Sequence, residues 1–211
     1  MSDMKTEVPA ATAFTHWGTC PEPAMATFVM RRLGHVPITG FSHQVRGSTR
    51  ILDVGCGAGA QSIWLDAASF DVDGIDIAEA AIEEAKQNLR RYRPEVGDVF
   101  LEQGSAESLP YDRPCFDAAI DVCTLQHLDH DQVRKALAEI YRVLKPGGWL
   151  FSMTAAPTHD DVGGHYLRRE NWFGIHRLYE LPGFVNMKIS EQVHTYTGRN
   201  IGHWIVEAQK S

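Results

Sequence analysis

The sequence predicts an α/β protein, a Rossmann-like three-layer sandwich around a mostly parallel seven-stranded sheet with one antiparallel strand near the C-terminus. Three observations carry this expectation. From Arg50 onward, short apolar runs alternate with amphipathic helical segments, the pattern of parallel strands joined by crossover helices. The first such run, Ile51-Leu52-Asp53-Val54, opens directly into Gly55-Cys56-Gly57-Ala58-Gly59. The last two runs are separated only by Thr197-Gly198-Arg199-Asn200, too short for a crossover, so they must lie antiparallel.

The elements follow in order. Pro21 and Pro23 introduce a helix over residues 23–34, with Met25, Phe28, Val29 and Leu33 on its apolar face. After the first strand and its glycine loop comes a helix over Gln61–Ala68. Val72–Asp76 is the second strand, and Ala78–Arg91 the helix after it, with Ala81, Ile82, Ala85 and Leu89 on one face. Val99–Glu102 and Phe116–Asp121 are the third and fourth strands. A helix over Gln132–Leu144 has Val133, Leu137, Ile140 and Leu144 on its buried stripe. Lys145-Pro146-Gly147-Gly148 stops it before a fifth strand, Trp149–Thr154. Asn171–Leu181 reads as a helix capped by Asn171 and ended by Pro182-Gly183. Phe184–Tyr196 and Ile201–Gln209 are the last two strands.

Composition sets outer limits. The 211 residues are 44% hydrophobic and 22% charged, which suits one ordinary globular domain and argues against a disordered chain. No apolar run is long enough to span a bilayer, and the opening residues lack the pattern of a secretory signal. The formal charge is −7, and it is unevenly placed. Residues 51–157 hold eighteen acidic and nine basic groups, whereas residues 1–50 hold three and five. An acidic body disfavours a broad phosphate-binding face, so nucleic acid is not the expected partner. Cys20, Cys56, Cys115 and Cys123 show no C-x-x-C spacing, as expected of buried thiols in a reducing cytoplasm.

The glycine loop is the first chemical signal. A strand feeding such a loop and then a helix presents backbone N–H groups at the carboxyl edge of the sheet. Asp76 lies 21 residues past Gly55, about one crossover away, where a carboxylate can accept from both hydroxyls of a ribose. The pair implies a nucleoside ligand. Asp53, two residues before the loop, either lines that site or braces the loop. The spacing Gly55-x-Gly57-x-x-Ala60 also fits a relaxed dinucleotide fingerprint, so a nicotinamide-dependent oxidoreductase stays open on this motif alone.

Four segments in order narrow the choice: ILDVGCGAG at 51–59, VDGIDIA at 72–78, QGSAESLPY at 103–111 and FDAAIDVCTLQHL at 116–128. ALAEIYRVLKPGGWL at 136–150 reinforces them. Across residues 50–211 the sequence resembles the class I S-adenosylmethionine-dependent methyltransferases. The resemblance implies that Asp53, Gly55, Cys56, Gly57 and Gly59 lie along the methionine part of S-adenosyl-L-methionine. It implies that Asp76 holds the ribose and that Ile77 packs on the adenine. In QGSAES the family commonly has Asp where this chain has Ser105; the Ser105 hydroxyl and the Ala106 N–H would then face the adenine edge, with Glu107 beside them or starting a helix. Asp121 and Val122 end the strand that faces the sulfonium and amino group. Asp121 is either a partner for the ammonium or a buried, hydrogen-bonded structural group.

The resemblance also implies the reaction, transfer of a methyl group, and the acidic body and short N-terminal region favour a small-molecule acceptor. A sulfonium makes its methyl group electrophilic, so the enzyme needs alignment and exclusion of water more than a dedicated catalytic residue. A base is needed only where the acceptor holds a proton at neutral pH. Candidates are His127, His159, His165 and Tyr166, and candidate acceptor-binding residues are His16, Trp17, His127 and Tyr166. His159, Asp160, Asp161 and His165 are metal-ligand types without a firm spacing, so no metal is assigned. Residues 1–49 are expected to cap the active site and residues 50–211 to form the cofactor domain. The expected partner is a small-molecule methyl acceptor, with no membrane; oligomeric state and acceptor identity are not encoded legibly. The Ser105 departure keeps a second reading open, a protein of this fold that binds the cofactor without catalysis.

Overall fold

The computed structural model describes residues 21–33, 49–94, 99–156, 172–180, 182–196 and 199–211. Its elements, in chain order, are α1 (Pro23–Leu33), β1 (Arg50–Val54), α2 (Ala60–Ala67), β2 (Asp71–Asp76), α3 (Glu79–Tyr92), β3 (Phe100–Gln103) and β4 (Phe116–Val122). A single 3₁₀ turn at Leu125–His127 leads to α4 (His130–Val143), β5 (Leu144–Ala155), α5 (Trp172–Glu180), β6 (Phe184–Tyr196) and β7 (Arg199–Lys210).

The strands form one seven-stranded sheet in the order β3-β2-β1-β4-β5-β7-β6. β1 pairs in parallel with β2 and β4, and β4 in parallel with β5. β7 runs antiparallel to both β5 and β6, so one strand is reversed. The chain leaves β1 first toward β2 and β3 and later toward β4 and β5. The strand order therefore switches direction between β1 and β4, and a crevice opens at their carboxyl ends.

Successive strand residues point to opposite faces, which divides the core in two. Ile51, Phe151 and Ile205 pack with Met25, Phe28 and Val29 of α1 and Leu65 of α2. Their neighbours Leu52, Leu150 and Val206 pack with Leu137 and Ile140 of α4 and Ile175 and Tyr179 of α5. α3 lies beside α2 and buries Ile82 and Ala85 against Leu101 and Cys56. α1 is also pinned by charge at its C-terminal end. Arg31 and Arg32 both meet the buried Glu207 of β7, and the Arg32 guanidinium sits 3.9 Å over the Trp149 ring.

Two boundaries differ from expectation for identifiable reasons. α4 starts at His130 rather than Gln132 because Asp129 closes a capping box. The Asp129 carboxylate accepts from the N–H groups of Asp131 and Gln132, while the Gln132 side chain accepts from the Asp129 N–H. At the other end, Lys-Pro-Gly-Gly does not separate helix from strand. β5 already pairs at Leu144 with Phe116 and resumes at Trp149 with Ala118, so the four residues are an irregularity inside the strand. Gly147 turns there at φ 78°, and Lys145 reaches Asp117 at 2.8 Å. The predicted cap Asn171 and the expected last helical residue Leu181 lie outside the described residues, and the expected stop, Pro182-Gly183, forms a turn after α5.

Candidate cofactor site

At the carboxyl end of β1 the chain turns sharply. The N–H groups of Gly55 and Cys56 both donate to the Ile75 carbonyl, at 2.7 and 3.0 Å. Gly55, Gly57 and Gly59 adopt φ values of 70°, 53° and 86°, a left-handed conformation that side chains resist. A Cβ on Gly55 would stand 2.0 Å from the Thr124 hydroxyl, so sterics as well as φ require glycine there.

Asp76 closes the loop from the side. One carboxylate oxygen accepts from the Gly57 N–H and the other from the Ala78 N–H, both at 2.9 Å. A carboxylate has about four acceptor sites, so lone pairs remain for further donors. Beside it, Ile77 is 73% exposed, an apolar side chain standing open at the strand end. Segment 104–106 is drawn to the same place, because the Gly104 N–H donates to the Asp76 carbonyl at 2.8 Å. The Ser105 hydroxyl accepts from the Glu107 N–H at 3.2 Å, and Ala106 is half-buried. The Glu107 carboxylate turns toward α4, where Gln132 donates to it at 3.0 Å and Lys135 lies 3.6 Å away.

Asp53 and Asp121 are buried below this edge. The Ser62 hydroxyl donates to Asp53 at 2.5 Å from the first turn of α2. Burial raises the Asp53 carboxyl to about 7, the Ser62 bond opposes that shift, and the nearby Asp76 and Asp121 charges add to it. Asp121 accepts from the N–H groups of Thr124 and Leu125 at 2.8 and 3.1 Å and from the Ser152 hydroxyl at 2.5 Å. Val122 ends β4 half-buried, and Cys123 follows at φ 66°, a conformation uncommon for a residue with a Cβ. Burial pushes the Cys56 and Cys123 thiols well up, so neither is a ready nucleophile.

The structure therefore gathers Asp53, Gly55, Cys56, Gly57, Gly59, Asp76, Ile77, Ser105, Ala106, Asp121 and Val122 around one edge. His127 is exposed in the turn after β4. His16, Trp17, His159, His165 and Tyr166 lie outside the described residues. Two participants escape sequence reasoning. Ser62, which holds Asp53, sits nine residues away and becomes adjacent only because the loop doubles back. Thr124, whose hydroxyl donates to the Gly55 carbonyl at 3.2 Å, is 69 residues away and is placed there by the unusual Cys123 backbone.

The sheet order, the three left-handed glycines and the acid at the end of β2 define a class, the Rossmann-like folds that cradle a nucleoside cofactor. Residues 51–148 match the family described as methyltransferase domain. The chain is similar over that segment to the class I S-adenosylmethionine-dependent methyltransferases, a family whose cofactor is S-adenosylmethionine. It is 37% identical over 133 residues to an O-methyltransferase of Aspergillus sclerotiorum, covering 63% of this chain and 47% of that protein. It is 36% identical over 132 residues to the 27-O-demethylrifamycin SV methyltransferase of Amycolatopsis mediterranei, covering 61% and 44%. The chain thus spans under half the length of these relatives. Among solved structures, a SAM-dependent methyltransferase of Methanosarcina mazei superposes with a TM-score of 0.69 at 21% identity, over 90% of this chain and 98% of that one. That likeness concerns the fold.

The residues present suit this cofactor. Three carboxylates, Asp53, Asp76 and Asp121, act on one another at the edge, where a sulfonium and an ammonium would be welcome. Ile77 offers an apolar surface to a flat base, and Asp76 keeps acceptor capacity for hydroxyls.

Proposed function

We propose that this protein transfers a methyl group from S-adenosylmethionine to a small-molecule acceptor. The observation that carries the reading is the joining of the glycine loop to Asp76 through the Gly57 N–H, with exposed Ile77 beside it. In this reading Asp76 holds the ribose hydroxyls, Ile77 covers one adenine face, and Ser105 and Ala106 meet the adenine edge. The loop from Gly55 to Gly59 follows the methionine chain. The bound cofactor supplies an electrophilic methyl group, and the protein's work is alignment and exclusion of water. His127, exposed past the end of β4, is the described candidate for taking a proton from the acceptor. His159, His165 and Tyr166 are the candidates from the segment after β5, and His16 and Trp17 those from the N-terminal cap, residues 1–49.

A small acceptor is supported by the acidic balance of residues 51–157 and by the relative named for 27-O-demethylrifamycin SV. No helix among the described residues is long and apolar enough to cross a membrane. Cys56, Cys115 and Cys123 are free thiols, which supports a reducing, cytoplasmic setting. The test is a screen of small hydroxylated, amino and thiol acceptors with methyl-labelled cofactor. Label transferred to a small molecule, and lost with Asp76→Ala, supports the reading. Cofactor binding without transfer to any acceptor class would instead favour a non-catalytic binding protein.

A further inference from the structure

One hydrogen-bonded line crosses the sheet from α5 to the glycine loop. Tyr179 of α5 is fully buried, and its hydroxyl lies 2.6 Å from that of Ser152 in β5. Ser152, also fully buried, reaches the Asp121 carboxylate of β4 at 2.5 Å. The other Asp121 oxygen takes the N–H groups of Thr124 and Leu125. The Thr124 hydroxyl ends the line on the Gly55 carbonyl. Its direction is set by proton count. Thr124 N–H, Leu125 N–H and the Ser152 hydroxyl all donate to Asp121, so the carboxylate accepts in each of these bonds. The single Ser152 proton is committed to Asp121, so Tyr179 must donate to Ser152.

We infer that Tyr179 is a positioning residue for the cofactor loop, acting through Ser152 and Asp121 on the turn that carries Thr124. The inference rests on the methyltransferase reading above. Two features make the turn responsive. Cys123 holds a left-handed backbone that its own side chain disfavours, and the flanking bonds to Asp121 keep it there. The Thr124 side chain fills the space that a Cβ on Gly55 would need, so no slack separates turn from loop. A displaced turn therefore displaces Gly55. The line also costs more than packing alone requires, since a buried carboxylate is expensive beside an apolar pair of the same size. Its use is geometric. It ties α5 to the glycine loop.

Tyr179→Phe deletes one hydroxyl and keeps the ring. Calorimetric titration with S-adenosylhomocysteine is made on the wild type, on Tyr179→Phe, on Thr124→Val and on the double variant, with melting curves beside each. Each single change is expected to weaken binding about 3- to 10-fold, the size of one neutral hydrogen bond. The double variant should bind no worse than the weaker single, because both changes cut the same line. Ser152→Ala cuts that line from β5 and should show the same loss if Tyr179→Phe does not fold. A residue that merely supports the core would lower the melting temperature and leave the affinity of the folded protein alone. Unchanged affinity in folded Tyr179→Phe, or additive losses in the double variant, overturns the inference while the methyltransferase reading stands. A wild type that does not bind S-adenosylhomocysteine overturns both.

Discussion

The two halves of the sheet's carboxyl edge are built on different principles. On the β1, β2 and β4 side, the groups at the edge are backbone N–H groups and carboxylates, fixed by bonds in and beside one loop. Gly57 and Asp76 are the pattern: a left-handed glycine donates straight to an acid from the next strand. On the β5, β7 and β6 side, position is set by pairing of distant strands, with Ala155 opposite His203 and Thr154 opposite Trp204. There the Gln126 side chain accepts from the Ala155 N–H, and the buried Thr154 hydroxyl has no hydrogen-bond partner among the described residues. The first half admits few sequences because its backbone conformations do. The second can change side chains while the pairing persists.

Breaking the first half should weaken or abolish cofactor binding, and breaking the second, away from the line through Ser152 and Tyr179, should cost stability alone. The largest effect is expected from Gly55→Ala. It adds a side chain at φ 70° and drives it into Thr124, so a loss of at least about 3 kcal/mol of stability is expected, with S-adenosylhomocysteine binding lost too. A variant that melts like the wild type and binds normally would contradict the loop geometry. Asp76→Ala should weaken S-adenosylhomocysteine by roughly 1.5–3 kcal/mol, the range for hydrogen bonds to a charged group. Unchanged affinity in the folded variant would remove the ribose role.

Asp53 supplies a pH test of the same half. Burial raises its carboxyl from 3.8 to about 7, so the fold favours the protonated form. The stability this contributes is full below 3.8 and is lost as the pH rises through 7. Asp53→Asn has no such group, so its melting temperature should gain on the wild type across that window and run level above it. Parallel profiles would show that the carboxyl is not raised. In the second half, Glu207→Gln removes the charge that holds Arg31 and Arg32. A loss of about 1–2 kcal/mol in stability is expected, with S-adenosylhomocysteine affinity unchanged. A large fall in affinity would erase the division between halves. The smallest effect belongs to Ser105→Asp, which restores the family's usual carboxylate and should tighten binding by up to about 1 kcal/mol. Weaker binding would show that this segment does not meet the adenine amino group.

Legibility in the sequence follows the same division. The seven strands and their alternation with helices could be read because each parallel strand is an apolar run and each crossover a periodic helix. The antiparallel pairing of the last two strands could be read because four residues cannot cross a sheet. Asp76 and the glycines could be read because their spacing is local. What stayed hidden depends on folding at a distance. The contact of Thr124 with Gly55 requires the left-handed Cys123, and nothing in Asp-Val-Cys-Thr announces it. The line from Tyr179 to Asp121 joins residues 58 positions apart by way of Ser152. The early start of β5 hides behind Pro146 and two glycines, residues that ordinarily end structure rather than interrupt a strand.

The central claim is that this edge binds S-adenosylmethionine rather than a dinucleotide, and titration calorimetry tests it most directly. S-adenosylhomocysteine and NAD are titrated separately into the full chain. The account predicts saturable one-to-one binding of S-adenosylhomocysteine and none of NAD. Binding of NAD alone would contradict it.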